Sequence, residues 1–345
     1  MKTSKLLTTT MLVSAAAMIA AVPASAAKLK LGGYYEQWIG AGGKGTADPN
    51  EQFDIQNDAE IYFSFKEKLS NGMTAGGRFE LEAGTGQTTK YDESSLYLSG
   101  AFGKILIGNN DAAASGAASI KVVGPVGHIK SDRADWVGVN TTQHDFDTDL
   151  GSSDAQLIMY TTPKVNGLQL SASYAPDNSD GTNSDMDDRE TSGVKNTVSG
   201  LLKYSTQMGA SKVSVGLGMT TNKLDNQTQD GWALGVGVSQ GPVSVTVGYG
   251  VEEFTATDER TFMGAGLIYK LDKVNSVSVG FSQGKKKTNT AASDLEENIA
   301  TIGFSRNLGK GVSFQASAFN VDTNHGTSTT NVNENGLVGG VKVSF

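Results

Sequence analysis

The sequence predicts an all-β protein, a transmembrane antiparallel β-barrel of about sixteen strands, and three observations predict it. From Leu29 onward, apolar and polar residues alternate with a period of two in segment after segment. These segments are even in number, and most are near the ~9–11 residues needed to cross a bilayer at a tilt. A secretory leader precedes them.

The leader comes first. Lys2 and Lys5 stand before an apolar and small-residue run from Leu6 to Val22, which Pro23 breaks. Ala24-Ser25-Ala26 then supplies the small residues a signal peptidase reads, with Ala24 and Ala26 at the cleavage site. The expected organisation is a signal peptide over 1–26 and a single barrel domain over 27–345. Loss of the leader leaves 26 basic against 36 acidic residues, a mature net charge of −10.

The strands follow. Ala59, Ile61, Phe63 and Phe65 alternate with Glu60, Tyr62, Ser64 and Lys66. After the turn at Asn71-Gly72, Ala75, Gly77, Phe79 and Leu81 alternate with Thr74, Gly76, Arg78, Glu80 and Glu82. Trp232, Leu234, Val236 and Val238 interleave with Ala233, Gly235, Gly237 and Ser239. Continued along the chain, the pattern predicts strands at 29–39, 57–69, 72–83, 92–101, 103–110, 155–162, 167–175 and 196–206. Eight more fall at 210–220, 230–240, 242–251, 260–270, 276–284, 297–306, 311–320 and 335–345. Alternation alone does not separate a lipid-facing barrel from a soluble one, since both have one apolar face. The leader, the strand length and the connections do: short turns alternate with long polar loops, the outer-membrane pattern. Such a sheet must close, and sixteen strands enclose an aqueous channel where about eight would be filled by side chains.

Composition excludes several function classes. The chain has 43 Gly, six Pro, three His and no Cys. So many glycines argue against an all-helical protein, because each interior Gly costs a helix roughly 0.5–1 kcal/mol relative to Ala. The absence of Cys removes disulfide scaffolds, zinc ribbons, thiol nucleophiles and iron–sulfur clusters. The negative charge argues against nucleic acid as a partner, which would need a basic surface.

Several stretches resemble the general, non-specific porins of Gram-negative outer membranes, particularly the alphaproteobacterial type. Leu29-Lys30-Leu31-Gly32-Gly33-Tyr34-Tyr35 looks like that family's first strand. Leu96 to Gly100 followed by Phe102 to Gly108 resembles its fourth and fifth. Tyr160-Thr161-Thr162-Pro163 with Gly167-Leu168 and Tyr174 is similar to its sixth-to-seventh hairpin, and Val341, Val343 and Phe345 are similar to its barrel-assembly signal. The resemblance implies a homotrimer in the outer membrane, in contact with lipid and lipopolysaccharide and inserted by the barrel-assembly machinery. It also implies a long third outer loop folded into the lumen. The 111–154 segment sits where that loop belongs, and its 44 residues far exceed an ordinary connection.

Seven acidic residues lie in that segment against Lys121, Lys130 and Arg133. Asp132, Asp135, Asp145, Asp147 and Asp149 are the candidate constriction residues. The family often has basic residues where this chain has Asn109 and Met159; lumen parity leaves Lys66, Arg78, Lys104 and Lys203 as basic wall residues, with Glu80 among their acidic neighbours. The expected function is a channel for passive diffusion of small hydrophilic solutes and ions, preferring cations; a substrate-specific porin for sugar or phosphate, and a surface adhesin, are the alternatives. Phe, Tyr and Trp near strand ends, such as Trp38, Trp232 and Tyr249, fit an interfacial girdle.

Other motifs carry less. Gly40 to Thr46 lacks the spacing of a phosphate loop. His128, His144 and His325 have no partner at metal or triad spacing, which argues against an enzyme. Passive diffusion needs no cofactor; the acidic runs 145–149 and 185–188 offer hard oxygen ligands for Ca²⁺ without completing an EF-hand loop.

Overall fold

The computed structural model describes residues 28–43, 53–84, 92–126, 136, 150–151, 154–177, 194–224, 227–253, 259–287, 294–324 and 331–345. Among them run sixteen strands: β1 (Lys28–Gly42), β2 (Phe53–Lys68), β3 (Thr74–Glu82), β4 (Ser94–Gly100), β5 (Gly103–Asn110), β6 (Ala155–Thr161), β7 (Leu168–Asp177) and β8 (Val194–Met208). The chain continues through β9 (Ser211–Leu224), β10 (Gln227–Gln240), β11 (Val243–Glu253), β12 (Glu259–Lys270), β13 (Asn275–Lys287), β14 (Leu295–Gly309), β15 (Val312–Asn324) and β16 (Val332–Ser344). The leader and its cleavage site lie outside the described residues.

Each predicted segment is a strand, and several run further toward the long loops than alternation indicated. β9 continues to Leu224 and β15 to Asn324. The register gives the reason: the outward positions there are Thr221, Asn320 and Asp322, so the apolar half of the pattern stops before the ladder does.

Every strand pairs antiparallel with its sequence neighbours, and β1 pairs with β16 to close the barrel. Closure is completed by the last residue: Phe345 and Gly33 exchange two backbone hydrogen bonds, both 3.1 Å. No edge remains to expose unpaired backbone to hydrocarbon, where each unmet group costs several kcal/mol. At the short-turn end the connections are tight, as at 69–73. There Gly72 takes φ +85° and the Asn71 side chain accepts from Met73 N–H at 3.1 Å.

The two faces differ sharply. Leu96, Ile107, Ile302 and Leu337 are each more than half exposed, and all have the parity of one face. Exposed aliphatic side chains around a closed wall make an outer belt suited to lipid. The opposite face presents serines, threonines, glycines and the charged residues of β1–β3.

Deleting Phe345 is expected to remove both bonds to Gly33, worth roughly 0.5–1.5 kcal/mol each, and to open an edge on β1. Gel mobility with and without heating measures it: the deletion should lose most of the heat-modifiable band, and a normal band would count against closure through this residue.

Candidate functional site

The chain leaves β5 at Asp111 and turns into the barrel. A run without strand partners must satisfy its backbone groups elsewhere, and here the wall hydroxyls do so. The N–H groups of Ala113 and Ala114 donate to Ser173 and Ser199, each at 2.8 Å. Lys121 N–H donates to Thr246 at 2.8 Å, and Val126 N–H to Ser317 at 3.3 Å. The Ser278 hydroxyl serves twice, accepting from Val123 N–H at 2.9 Å and donating to the Val123 carbonyl at 3.0 Å. These partners stand on β7, β8, β11, β13 and β15, all on the polar face, so residues 111–126 lie along the inner wall.

The same path explains the glycines of that face. A Cβ at Gly216 or Gly235 would come within 2.5 Å of the Ala117 carbonyl oxygen, and one at Gly218 within 2.7 Å of the Ala117 methyl. At Gly248, Gly266 and Gly303 it would overlap the carbonyl oxygens of Ala118, Lys121 and Val123. The small polar positions of strand after strand are thus the seat of this segment.

Its far part is held by apolar packing. Val126 and Trp136 cluster with Trp38, Ile299, Phe319, Val321 and Val338 on the inner faces of β1 and β14–β16. Trp38 therefore departs from the outer girdle. Its register opposite Gly340 turns it inward, where Nε1 donates to Glu36 at 3.1 Å. Trp232 and Tyr249 do stand on the outer face, their rings 5.5 Å apart.

Charge is distributed along the barrel axis. Lysines gather toward the short turns on inward positions of β1, β2, β5, β8, β9, β12 and β16. Carboxylates gather toward the long loops, with Asp54, Asp58, Glu60, Glu80 and Glu82 on the inner face of β2 and β3. Carboxylate oxygens of Glu93, Asp111 and Asp154 lie within 4.8 Å of one another, so both ends of the 111–154 segment meet beside β4. Glu60, Glu82 and Asp92 form a second such group, and both offer the hard oxygens a divalent cation takes. Burial pushes the Glu93 carboxyl up to about 7, and Glu80, Asp111 and Asp92 add to the rise.

The predicted site residues are only partly brought together. Arg78 and Glu80 form an ion pair on β3, and the Arg78 guanidinium lies 3.9 Å from the Tyr62 ring centroid. Lys66 stands lower on β2, Lys104 on β5 lies over Tyr97 at 5.2 Å, and Lys203 stands apart on β8. Met159 faces inward and packs against Leu106, Ala155, Leu157 and Ala175, so that stretch of wall is apolar. Asn109 is buried. Asp132, Asp135, Asp145, Asp147 and Asp149, the run 185–188 and the three histidines lie outside the described residues. Sequence reasoning missed Glu93, Asp111 and Asp154 as a group, since only the closing of the segment's two ends assembles them.

A family model described as Gram-negative porin matches residues 10–326. Among solved structures, the chain is similar to the anion-selective porin of Comamonas acidovorans at 16% identity and TM-score 0.65, covering 93% of this chain and all of that one. OprB of Pseudomonas putida is similar at 9% identity and TM-score 0.68, over 92% of this chain and 94% of its own. A mutant of the Rh. blastica porin is similar at 15% identity and TM-score 0.60, over 92% of this chain and all of its own. No curated protein sequence matches.

Proposed function

This chain belongs to the Gram-negative porin family, and from that premise we propose that its lumen is narrowed by the 111–154 segment and prefers cations. As a porin it lies in the outer membrane and passes small hydrophilic solutes by passive diffusion, with no catalytic step. The preference is carried by one observation: the carboxylates of β2, β3 and the 92–93 segment gather at the level where residues 111 and 154 meet the wall. Carboxylates lining a narrow passage between low-dielectric walls concentrate cations by focusing the field. At physiological salt the Debye length is ~8 Å, so charges at the narrow level outweigh lysines nearer the exit.

In this reading Asp132, Asp135, Asp145, Asp147 and Asp149 extend the acidic lining, and Lys66, Arg78, Lys104 and Lys203 are its basic counterweight on the wall. The reading further includes cleavage after Ala26, assembly directed by Val341, Val343 and Phe345, and a homotrimer. OmpT of Vibrio cholerae, another structural neighbour, is described in a trimer form.

The zero-current potential across a KCl gradient tests the preference, and an anion-selective wild type would sink it. Asp132→Asn with Asp135→Asn should lower cation preference, whereas an unchanged potential would move the selectivity to the β2–β4 wall. Glu93 is charged above about 7 and neutral below it, so cation preference should weaken from pH 8 to pH 6. Glu93→Gln should flatten that change, and a wild type with no pH dependence in this window removes Glu93 from the lining.

A further inference from the structure

A recess of about 490 Å³ opens between the inward segment and the inner faces of β8–β11. Lys121, Lys203 and Lys212 line it together with the hydroxyls of Ser119, Ser205 and Ser214, and no carboxylate does. Ser205 pairs with Ser214 across the β8–β9 ladder, while Lys203 and Lys212 stand one inward position to either side of that pair. Two residues of strand separate such positions by roughly 6.6 Å. Lys121 is fixed over the same row by its N–H bond to Thr246, since Ser214, Gly237 and Thr246 are successive partners. Lys164 adds a fourth ammonium, which donates to the Ser205 hydroxyl at 2.7 Å.

Three further facts bear on what the recess can hold, its lysines being exposed to the lumen. Gly237 contributes no side chain to the recess, and Gly216 and Gly235 border it where the Ala117 carbonyl packs on the wall. The ammonium groups of Lys121, Lys203 and Lys212 have no ion-pair or hydrogen-bond partner among the described residues. The acidic wall of β2 and β3 stands across the barrel, since β3 and β11 are eight strands apart in a closed ring of sixteen. Lysine ammoniums and serine hydroxyls converging on one recess, with no carboxylate among them, suit a compact, multiply charged oxyanion with several acceptor oxygens.

We propose that this recess binds a small phosphate-bearing anion on the short-turn side of the inward segment. The site rests on the lumen being open to solutes, yet it goes beyond general diffusion by giving one wall a saturable ligand. In the barrel's orientation it faces the periplasm, so the ligand is met on leaving the narrow level from outside or on arriving from the periplasm.

Isothermal titration of the detergent-folded protein with inorganic phosphate tests the site without requiring conductance. Saturable binding is expected, and Lys203→Gln with Lys212→Gln should raise the half-saturating concentration roughly tenfold or more. Lys203→Arg with Lys212→Arg should retain it, and Lys310→Gln, in the β14–β15 turn, should leave it unchanged. No saturable binding by the wild type, or equal binding by the glutamine variant with normal heat-modifiable mobility, overturns the proposal. In parallel, phosphate added at fixed chloride to each side of a planar bilayer should reduce single-channel current saturably and more strongly from one side. Binding without any conductance would instead indict the channel reading, which keeps the two failures apart.

Discussion

Gly266→Val combined with Gly303→Val is expected to lift the 111–126 segment off the wall and raise single-channel conductance while the barrel still folds. Both added side chains would grow into backbone carbonyls, those of Lys121 and Val123. Overpacking of this kind costs about 1–3 kcal/mol per site. Against it stand the wall hydrogen bonds from Ala113, Ala114, Lys121, Val123 and Val126, worth roughly 0.5–1.5 kcal/mol each. The terms are comparable, so one substitution should shift the segment locally and two should detach its middle. The strands lose nothing by the change, because valine suits a pleated wall better than glycine. Conductance in 1 M KCl, about 1 M being enough to shrink the Debye length to ~3 Å, reads the width of the passage with little contribution from charge. An unchanged conductance in the folded double variant would mean that this segment does not limit the lumen.

The sequence was most legible where one physical constraint acted on every strand. Lipid on one side and water on the other forced the alternation that located β5 at both ends and put Phe79 outward and Arg78 inward. Strand ends were less legible: outward residues beyond the lipid, such as Thr221 and Asp322, are free to be polar. The inner wall was legible only in kind. Its small polar residues were plain, but that Gly216, Gly235 and Ser278 seat one particular segment depends on contacts about a hundred residues or more apart along the chain. Trp38 misled for the same reason, since an aromatic near a strand end suits a girdle until its parity and Trp136 place it inside.

Ile302→Arg should sharply impair insertion, whereas Ser305→Arg, three residues further along the same strand, should be tolerated. Ile302 is at the middle of β14, on the outer face and 63% exposed, where an arginine meets hydrocarbon. Ser305 faces inward by the register of β14 against β13 and β15, where an arginine meets water. A charged side chain at the bilayer midplane costs about 2–4 kcal/mol, which lowers the folded-to-unfolded ratio roughly thirty- to several-hundred-fold. Urea-dependent folding into phosphatidylcholine vesicles, followed by tryptophan fluorescence, separates the two variants. Phe79→Arg on β3 is a second outward test beside the inward Arg78 that the protein already carries. A strand slipped by one residue would exchange its faces completely, making Ser305→Arg the damaging change and Ile302→Arg the benign one. Because each strand's register is tied to two neighbours around a closed ring, that reversal in β14 would require β13 and β15 to be misplaced as well.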